Sequence, residues 1–270
     1  MQSLEGKTYD PTQLRVCADK VADFVAITGD DTSRWTENAP PGWAAVCLFS
    51  VAPLLLADPA VAGRGVIHGE QRFAWTGAIP MESELDVAGS VTRVRSRGGV
   101  AFLGFDLAVT HEGQSLVTGY STFLVSGDAP AAGESREEIE PGPEERGDNE
   151  SLPFSGGFPD LRRSASRADL IRYAAASHDW NPIHWDHEAA RAAGLPGVVV
   201  HGLLQAAWAM SAAASLRNGP APLTEATFRF RAPLRPAVTA TLTGSLEAST
   251  VNASLIAGEV ELIGARLGLR

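Results

Sequence analysis

Two segments of this 270-residue chain match each other at a constant offset of 149 residues. The segment from Ala18 to Trp35 (ADKVADFVAITGDDTSRW) aligns with the segment from Arg167 to His184 (RADLIRYAAASHDWNPIH). Further along, Arg72 to Trp75 (RFAW) resembles Thr227 to Phe230 (TFRF). A period this long excludes a solenoid, whose repeats span about 20 to 50 residues. The sequence therefore predicts a fused pair of similar domains.

A strongly acidic stretch separates the two copies. Residues 126–150 contain nine acidic residues, two basic residues and three prolines. Such a segment cannot bury enough apolar surface to offset the entropy lost on ordering it. We therefore predict an N-terminal domain at 1–125, an acidic linker at 126–150 and a C-terminal domain at 151–270.

The overall charge limits the classes of partner. The formal net charge is -10, of which the linker supplies -7 through its nine acidic and two basic residues. Nucleic acids and anionic membranes select basic surfaces, so neither is expected as the main partner. The two cysteines form neither a disulfide framework nor a zinc site. The most apolar stretch, Trp43 to Ala57, is too short to span a bilayer, and a soluble, cytoplasmic protein is expected.

Each copy is predicted to contain a short helix, a loop, a very apolar helix and then strands. In the second copy, Ser166 is a good N-cap for the short helix. The helix that starts near Gly202 is apolar on most sides and should be buried, and its counterpart is 42–57. Strand patterns occur at 85–94, 100–105, 115–125, 238–246 and 259–269. An apolar helix followed by antiparallel strands predicts an α+β fold in which a sheet wraps the helix.

The residues with catalytic potential cluster in the second copy. Asp179 and His184 are five positions apart, which on a continuous helix would place them about 140° apart. Pro182 prevents that continuity because it lacks an N–H and restricts Asn181 to an extended conformation. The loop can then return His184 to the side of Asp179. A carboxylate and an imidazole that converge on one water form a general acid–base pair.

Simpler interpretations exist for these and other residues. An aspartate at a helix end is often a cap, and a single histidine is often structural. His184, Asp186 and His187 lack the fixed spacing of a metal site, so no metal is expected. The arginines at 229, 231 and 235 fit either the phosphates of coenzyme A or a solvated strand face. The tryptophans and Met210 are expected in the core.

The wider pattern has a family resemblance. D-x-N-P-I-H at 179–184, then an alanine-rich helix, then V-V-V-H-G at 198–202 resembles the MaoC-like (R)-specific enoyl-CoA hydratases and (3R)-hydroxyacyl-thioester dehydratases. The resemblance is close from Ser166 to Pro236 and looser in the first half. It implies a double hot-dog fold, in which curved antiparallel sheets wrap long central helices. The first half resembles the degenerate N-terminal hot-dog of the double members.

The resemblance also implies roles for particular residues. Asp179 and His184 would activate the water that adds to C3 of a trans-2-enoyl thioester, or remove it in the reverse direction. The backbone N–H of Gly202 would receive the thioester oxygen, which suits a glycine at a helix N-terminus. Asn181 would order the loop or touch substrate, and His201 would be a structural partner of the loop. No cofactor is implied beyond the coenzyme A or acyl carrier protein that carries the acyl group.

One residue departs from this family pattern. Members commonly have glycine before the catalytic aspartate, whereas this chain has His178, which puts substrate scope in doubt more than chemistry.

In the first copy, Asp30 corresponds to Asp179, but Trp35 stands where His184 would be. The first domain is therefore expected to be non-catalytic and to shape the acyl tunnel. His68-Gly69 imitates the His-Gly pair at 201–202, but a strand pattern follows, so no role is assigned to it.

The leading prediction is a hydro-lyase of fatty acid and lipid metabolism acting on a small acyl thioester. A hot-dog acyl-CoA thioesterase and a non-catalytic acyl-binding partner subunit are the alternatives. The sequence leaves open the acyl length and branching, the carrier, the physiological direction, and whether the protein is a monomer or a homodimer.

Overall fold

The computed structural model describes residues 1–126, 149–155 and 157–270. Most of the predicted acidic linker, 127–148, lies outside the described residues. Ser126 ends one strand, and Asn149 and Glu150 begin another. The division at 1–125, 126–150 and 151–270 therefore stays a prediction. No helix within the described ranges has the length and apolar character needed to cross a bilayer.

The described residues form five α-helices and thirteen strands. The helices are α1 Ala18–Thr28, α2 Ala44–Leu56, α3 Arg167–Ser177, α4 His187–Ala192 and α5 Gly202–Ala214. The first strands are β1 Thr12–Val16, β2 Asn38–Ala39, β3 Val66–Trp75, β4 Ile79–Pro80, β5 Ser83–Arg97, β6 Val100–His111 and β7 Gln114–Ser126. The remaining strands are β8 Asn149–Ser155, β9 Phe158–Arg163, β10 Leu223–Phe230, β11 Ala240–Glu247, β12 Thr250–Ala257 and β13 Val260–Leu269.

Eleven of these strands form one antiparallel sheet that runs through both halves. Its order is β1-β5-β6-β7-β3-β10-β13-β12-β11-β9-β8. The halves join where β3 pairs with β10, and there Arg72 lies directly opposite Thr227. The repeat in the sequence aligns these same two residues, so a local two-fold relation passes through this pair. The predicted α+β fold, one architecture built twice, is confirmed.

The two apolar helices occupy the core, as predicted. Eleven of the thirteen residues of α5 are buried, and nine of the thirteen in α2. Both helices are apolar around most of their circumference because the sheet and the neighbouring helices cover most of their surface. The shorter helices α1 and α3, which start 149 positions apart, pack against each other. The repeat therefore sets both the helix pair and the strand pair at the junction.

Some strands were not predicted from the sequence. β1 and β9 precede the first helix of each half, and each is short. β12 (TVNASLIA) alternates small polar residues with apolar ones. Short strands with one solvated face give a weak pattern because only every second residue must be apolar.

The N-terminus of α3 carries the predicted cap. The Ser166 hydroxyl accepts a hydrogen bond from the Asp169 N–H at 3.1 Å, and the Asp169 carboxylate accepts one from the Ser166 N–H at 2.9 Å. This reciprocal pair is a capping box, which satisfies two N–H groups that have no partner inside the helix. At the equivalent position of α1, Cys17 makes no side-chain cap bond.

Replacement of Ser166 by alanine should therefore lower the free energy of unfolding by about 1 kcal/mol. The matched control is Cys17→Ala at the equivalent cap, which should change it by less than about 0.5 kcal/mol. Urea unfolding of the two variants measures both values. Equal effects of the two substitutions would show that the capping box contributes nothing.

Candidate active site

The loop that follows α3 presents the predicted acid–base pair. The helix ends at Ser177, and His178 adopts a left-handed conformation with φ of 65°, which turns the chain out of the helix. Pro182 then begins a short 3-10 turn that ends at His184. The Asn181 side chain caps this turn by accepting a hydrogen bond from the Ile183 N–H at 3.4 Å. The break that Pro182 predicts is therefore present.

The turn returns His184 to Asp179. The His184 Nε2 lies 3.9 Å from the Asp179 Oδ2. Both residues are buried, with 7% and 5% of their surface exposed. The His184 Nδ1 lies 2.8 Å from the Val199 carbonyl oxygen. Because a carbonyl oxygen can only accept, Nδ1 carries the hydrogen, and the Nε2 lone pair is available on the side of Asp179.

Burial sets the protonation of the pair. It raises the pKa of Asp179 to about 7, against the opposing hydrogen bond from the Asn181 N–H. It also lowers the pKa of His184 to about 4, against the effect of the Val199 carbonyl. In both cases the low-dielectric surroundings disfavour the charged form. Between pH 4 and 7 the Asp179 carboxyl group is therefore protonated and the His184 imidazole is neutral, so the pair carries no charge.

His201 contacts both members of this pair. Its ring stacks on the His184 ring with centroids 3.7 Å apart and planes at 24°. Its Nε2 donates a hydrogen bond to the Asp179 carbonyl oxygen at 3.2 Å. The ring also lies 4.8 Å from the Tyr173 ring on α3. These contacts fit the role of a structural partner of the loop.

The same three side chains are also the candidate metal ligands of the site. Asp179, His184 and His201 offer ligand atoms that lie within 4.8 Å of one another. A metal at about 2 Å requires ring lone pairs that converge. The two imidazoles are stacked nearly parallel, so their lone pairs lie in separate, nearly parallel planes. His187 points to other contacts, since its Nδ1 accepts a hydrogen bond from the Val198 N–H at 3.3 Å. This geometry suits an acid–base pair.

The first residue of α5 lies on the wall of the same cavity. Gly202 lines it, and a Cβ at this position would come within 2.9 Å of the Phe230 ring. Glycine is therefore required by the close approach of the aromatic side chain. The first N–H groups of a helix have no partner inside it, and the helix dipole places positive charge there. This end of α5 is suited to stabilise a developing negative charge.

The cavity has a volume of about 250 Å³ and is lined by both halves of the chain. The second half supplies the acid–base pair, Asn181 and Gly202, and the first half supplies mainly apolar residues of α2, β3 and β7. Asn181 ties the halves together, since its Nδ2 donates a hydrogen bond to the Val66 carbonyl oxygen at 3.5 Å. Two larger clefts, of about 740 and 610 Å³, lie elsewhere and contain none of these residues.

Two sequence interpretations are corrected at this site. His68, to which no role was assigned because a strand follows it, does lie on a strand, but it lines the cavity. The prediction that all tryptophans are core is wrong for Trp180 and Trp185, which are 51% and 41% exposed. Both belong to the loop that carries the acid–base pair. Pairing across the halves, which brings β3 to the site, has no signal in the local sequence around His68.

Arg229 on β10 and Arg231, one residue beyond the end of that strand, are exposed to solvent. Arg229 lies 4.0 Å from Glu70, and Arg231 lies 2.8 Å from Glu261. Arg231 also reaches the rim of the cavity, and Arg235 is exposed.

The equivalent loop of the first half has a structural contact where the second half has its acid–base pair. Trp35 is buried, with 5% of its surface exposed. The neighbouring Arg34 guanidinium donates hydrogen bonds to the carbonyl oxygens of Ala214 and Arg217 at 2.6 and 2.7 Å. These carbonyls lie at the C-terminus of α5, where a cation is favourable.

Comparisons with known proteins agree with this fold. A sequence model of the MaoC-like domain matches residues 156–263. A UPF0336 protein of Leifsonia xyli is 30% identical over 142 residues, which are 47% of this chain and 95% of that protein. A mitochondrial 3-hydroxyacyl-[acyl-carrier-protein] dehydratase of Arabidopsis thaliana is 52% identical over 42 residues, or 16% of this chain. That match spans only 25% of the plant protein.

Solved structures are similar over nearly the whole chain. A MaoC-like dehydratase superposes with a TM-score of 0.78 at 20% identity, covering 100% of this chain and 99% of the other. HtdX of Mycobacterium tuberculosis gives 0.74 at 22% identity, covering 97% and 100%. A second protein of that organism, described as a double hot-dog, gives 0.63 at 13% identity, covering 98% and 96%. Residues 156–263 match the MaoC-like domain, and the chain has a double hot-dog fold. The MaoC-like domain supports an activity of the hydro-lyase kind.

The conformation of His178 leads to a stability prediction. The equivalent residue in the first half is Gly29, which has nearly the same φ, 68° against 65°. A left-handed conformation is costly for a residue with a Cβ and free of that cost for glycine. His178→Gly should therefore raise the free energy of unfolding by up to about 1 kcal/mol. Gly29→Ala, the reciprocal control, should lower it by a similar amount in the same urea titration. Destabilisation by His178→Gly would contradict the role of backbone strain.

The raised pKa of Asp179 leads to a second stability prediction. Its carboxyl group stays protonated in the folded protein up to about pH 7, whereas in the unfolded chain it ionises near its ordinary value of 3.8. The folded state therefore loses stability from this group as the pH rises from about 4 to 7.

Asp179→Asn removes this loss. The stability difference between variant and wild type should shift in favour of the variant by roughly 4 kcal/mol between pH 4 and pH 7. Asp30→Asn, at the equivalent position of the first half, is the matched control variant. A difference for Asp179→Asn that is constant with pH would contradict the raised pKa.

Proposed function

We propose that the protein catalyses the reversible hydration of trans-2-enoyl thioesters to (3R)-hydroxyacyl thioesters. The observation that carries the proposal is the buried Asp179 and His184 pair in a cavity that the N-terminus of α5 also lines. An apolar cavity with a few convergent polar groups is the usual form of a small-molecule site. The substrate is a small acyl thioester on coenzyme A or acyl carrier protein, and the reaction belongs to fatty acid metabolism.

The protonation states of the pair determine which group accepts a proton during hydration and which group donates one. The Nε2 of His184 takes a proton from water while the water oxygen bonds to C3 of the enoyl group. The electrons of the C2–C3 double bond move toward the thioester, and the resulting negative charge on its oxygen faces the Gly202 N–H. Asp179 then gives its proton to C2. Transfer of the proton from His184 to Asp179 restores the starting state.

The reverse reaction uses the same groups in the opposite sense. Asp179 as a carboxylate removes a proton from C2, and protonated His184 gives a proton to the leaving hydroxyl. Asn181 holds the loop in place, and His201 keeps both members of the pair in position. Because both halves that line the cavity belong to one chain, the proposal holds for a monomer and for a homodimer.

The test is loss of the enoyl chromophore of a trans-2-enoyl-CoA on addition of the purified protein. Asp179→Asn and His184→Asn should each lower kcat by about 10²- to 10⁴-fold, because each removes one proton-transfer group. The matched control is His111→Asn, a histidine at the end of β6 outside the cavity, which should keep full activity.

Other outcomes identify the alternatives. Release of free thiol without loss of the enoyl bond would indicate a thioesterase. Turnover that requires a second protein would indicate a partner subunit. Full activity of Asp179→Asn would rule out the proposed acid.

The pH dependence follows from the protonation of the free enzyme, which kcat/KM reports. Hydration requires protonated Asp179 and neutral His184. The value of kcat/KM should therefore be highest between about pH 4 and 7 and fall as Asp179 ionises above about 7. Stopped-flow measurement of hydration from pH 5 to 9 checks this (roughly tenfold lower per pH unit on the alkaline side). A rate that rises through pH 7 would assign the carboxylate as the base instead.

A further inference from the structure

His68 enters the cavity wall from the half of the chain that lacks the acid–base pair. It lies on β3, where the pairing with β7 shifts register between His68 and Glu70. Gly69 is the extra residue of this β-bulge, and a Cβ there would come within 2.4 Å of the Leu124 side chain. Bulges redirect a side chain locally, and they are common beside active sites. The bulge at Gly69 therefore orients His68 into the cavity wall.

The surroundings of the His68 ring connect it to the site. The ring lies 4.8 Å from the Phe123 ring and 5.1 Å from the Phe230 ring. Phe230 in turn packs against the position of Gly202. Two residues before His68, the Val66 carbonyl accepts the hydrogen bond from Asn181. His68 thus lies between the oxyanion position and the loop of the acid–base pair.

One ring nitrogen of His68 is not used within the described structure. Its Nε2 is buried and has no hydrogen-bond partner among the described residues. Burial lowers the pKa of the ring to about 4, although Gln71 and the Glu70 backbone oppose the shift, so the imidazole is neutral. The Oε1 of Gln205, a second polar residue lining the cavity, is also buried without a partner in the described part of the chain. An alkyl chain would leave both atoms unpaired, which is costly.

We propose that His68 is a specificity-determining residue that hydrogen-bonds an oxygen on the acyl chain beyond the reacting carbons. The preferred substrate is then an acyl thioester whose tail carries a hydroxyl group. A hydroxyl can both donate and accept, so it satisfies neutral imidazole in either tautomer. This inference rests on the proposed function, and it gives the first half of the chain a role in recognising the acyl group.

The experiment compares trans-2-octenoyl-CoA with three analogues that carry a hydroxyl on successive tail carbons. For wild type, the best hydroxylated analogue should have a kcat/KM about tenfold or more above that of the alkyl substrate. In His68→Leu the ratio should fall to about one. His68→Gln keeps a hydrogen-bonding group and should retain part of the preference. His111→Leu, outside the cavity, should retain all of it.

Two results would overturn the inference. One is a wild-type ratio of one or less for every analogue, and the other is an unchanged ratio in His68→Leu. If His68→Leu fails to fold, as judged by circular dichroism, the comparison of His68→Gln with wild type decides.

A binding measurement separates this inference from the proposed function. Calorimetry with saturated octanoyl-CoA and its hydroxylated analogues needs no turnover. If no enoyl thioester reacts but wild type binds a hydroxylated analogue about tenfold more tightly, and His68→Leu does not, the function fails and the inference stands. Turnover without such discrimination would leave the function intact and overturn the role of His68. Absence of binding to every acyl-CoA would overturn it as well.

Discussion

The backbone pairing of β3 with β10 is the interaction on which the rest of the structure depends. It joins the strands of both halves into one eleven-stranded sheet. The same pairing places the start of β3 next to the end of β10, and so brings His68 beside Phe230. A cavity lined by both halves follows from this register, because a one-residue slip would turn every side chain on β3 to the opposite face. The two copies are therefore joined at the site as well as in the chain.

Burial determines the protonation states of the acid–base pair in this cavity. Asp179 and His184 are removed from water by the loop, by α5 and by the stacked ring of His201. Desolvation moves their pKa values in opposite directions, since one group is charged when deprotonated and the other when protonated. The result is a neutral acid next to a neutral base between about pH 4 and 7. The first half has no such pair, and there Arg34 stabilises the C-terminus of α5 instead.

The sequence was informative wherever a local signal carried the structure. The internal repeat predicted two copies of one architecture, and the structure places the matched residues Arg72 and Thr227 opposite each other. Pro182 and Ser166 predicted a helix end and a helix cap through their own chemistry. The family resemblance predicted the fold.

Other features depended on contacts that are distant in sequence. The position of His68 in the cavity follows from pairing between the halves and from the bulge at Gly69, neither of which the local pattern records. The exposure of Trp180 and Trp185 follows from the path of the loop, which turns these large side chains outward while it buries Asp179 and His184. Gly29, the equivalent residue in the first copy, is typical of a left-handed conformation. His178 has the same conformation, but a histidine does not indicate it in the sequence.

The central claim is that one buried acid–base pair adds water across the enoyl bond. The most direct test is product analysis after reaction of a trans-2-enoyl-CoA in D₂O. The account predicts an intact thioester with a (3R)-hydroxyl group and one deuterium at C2, seen by chiral chromatography and NMR. A cleaved thioester, a (3S) product or a C2 without deuterium would contradict it.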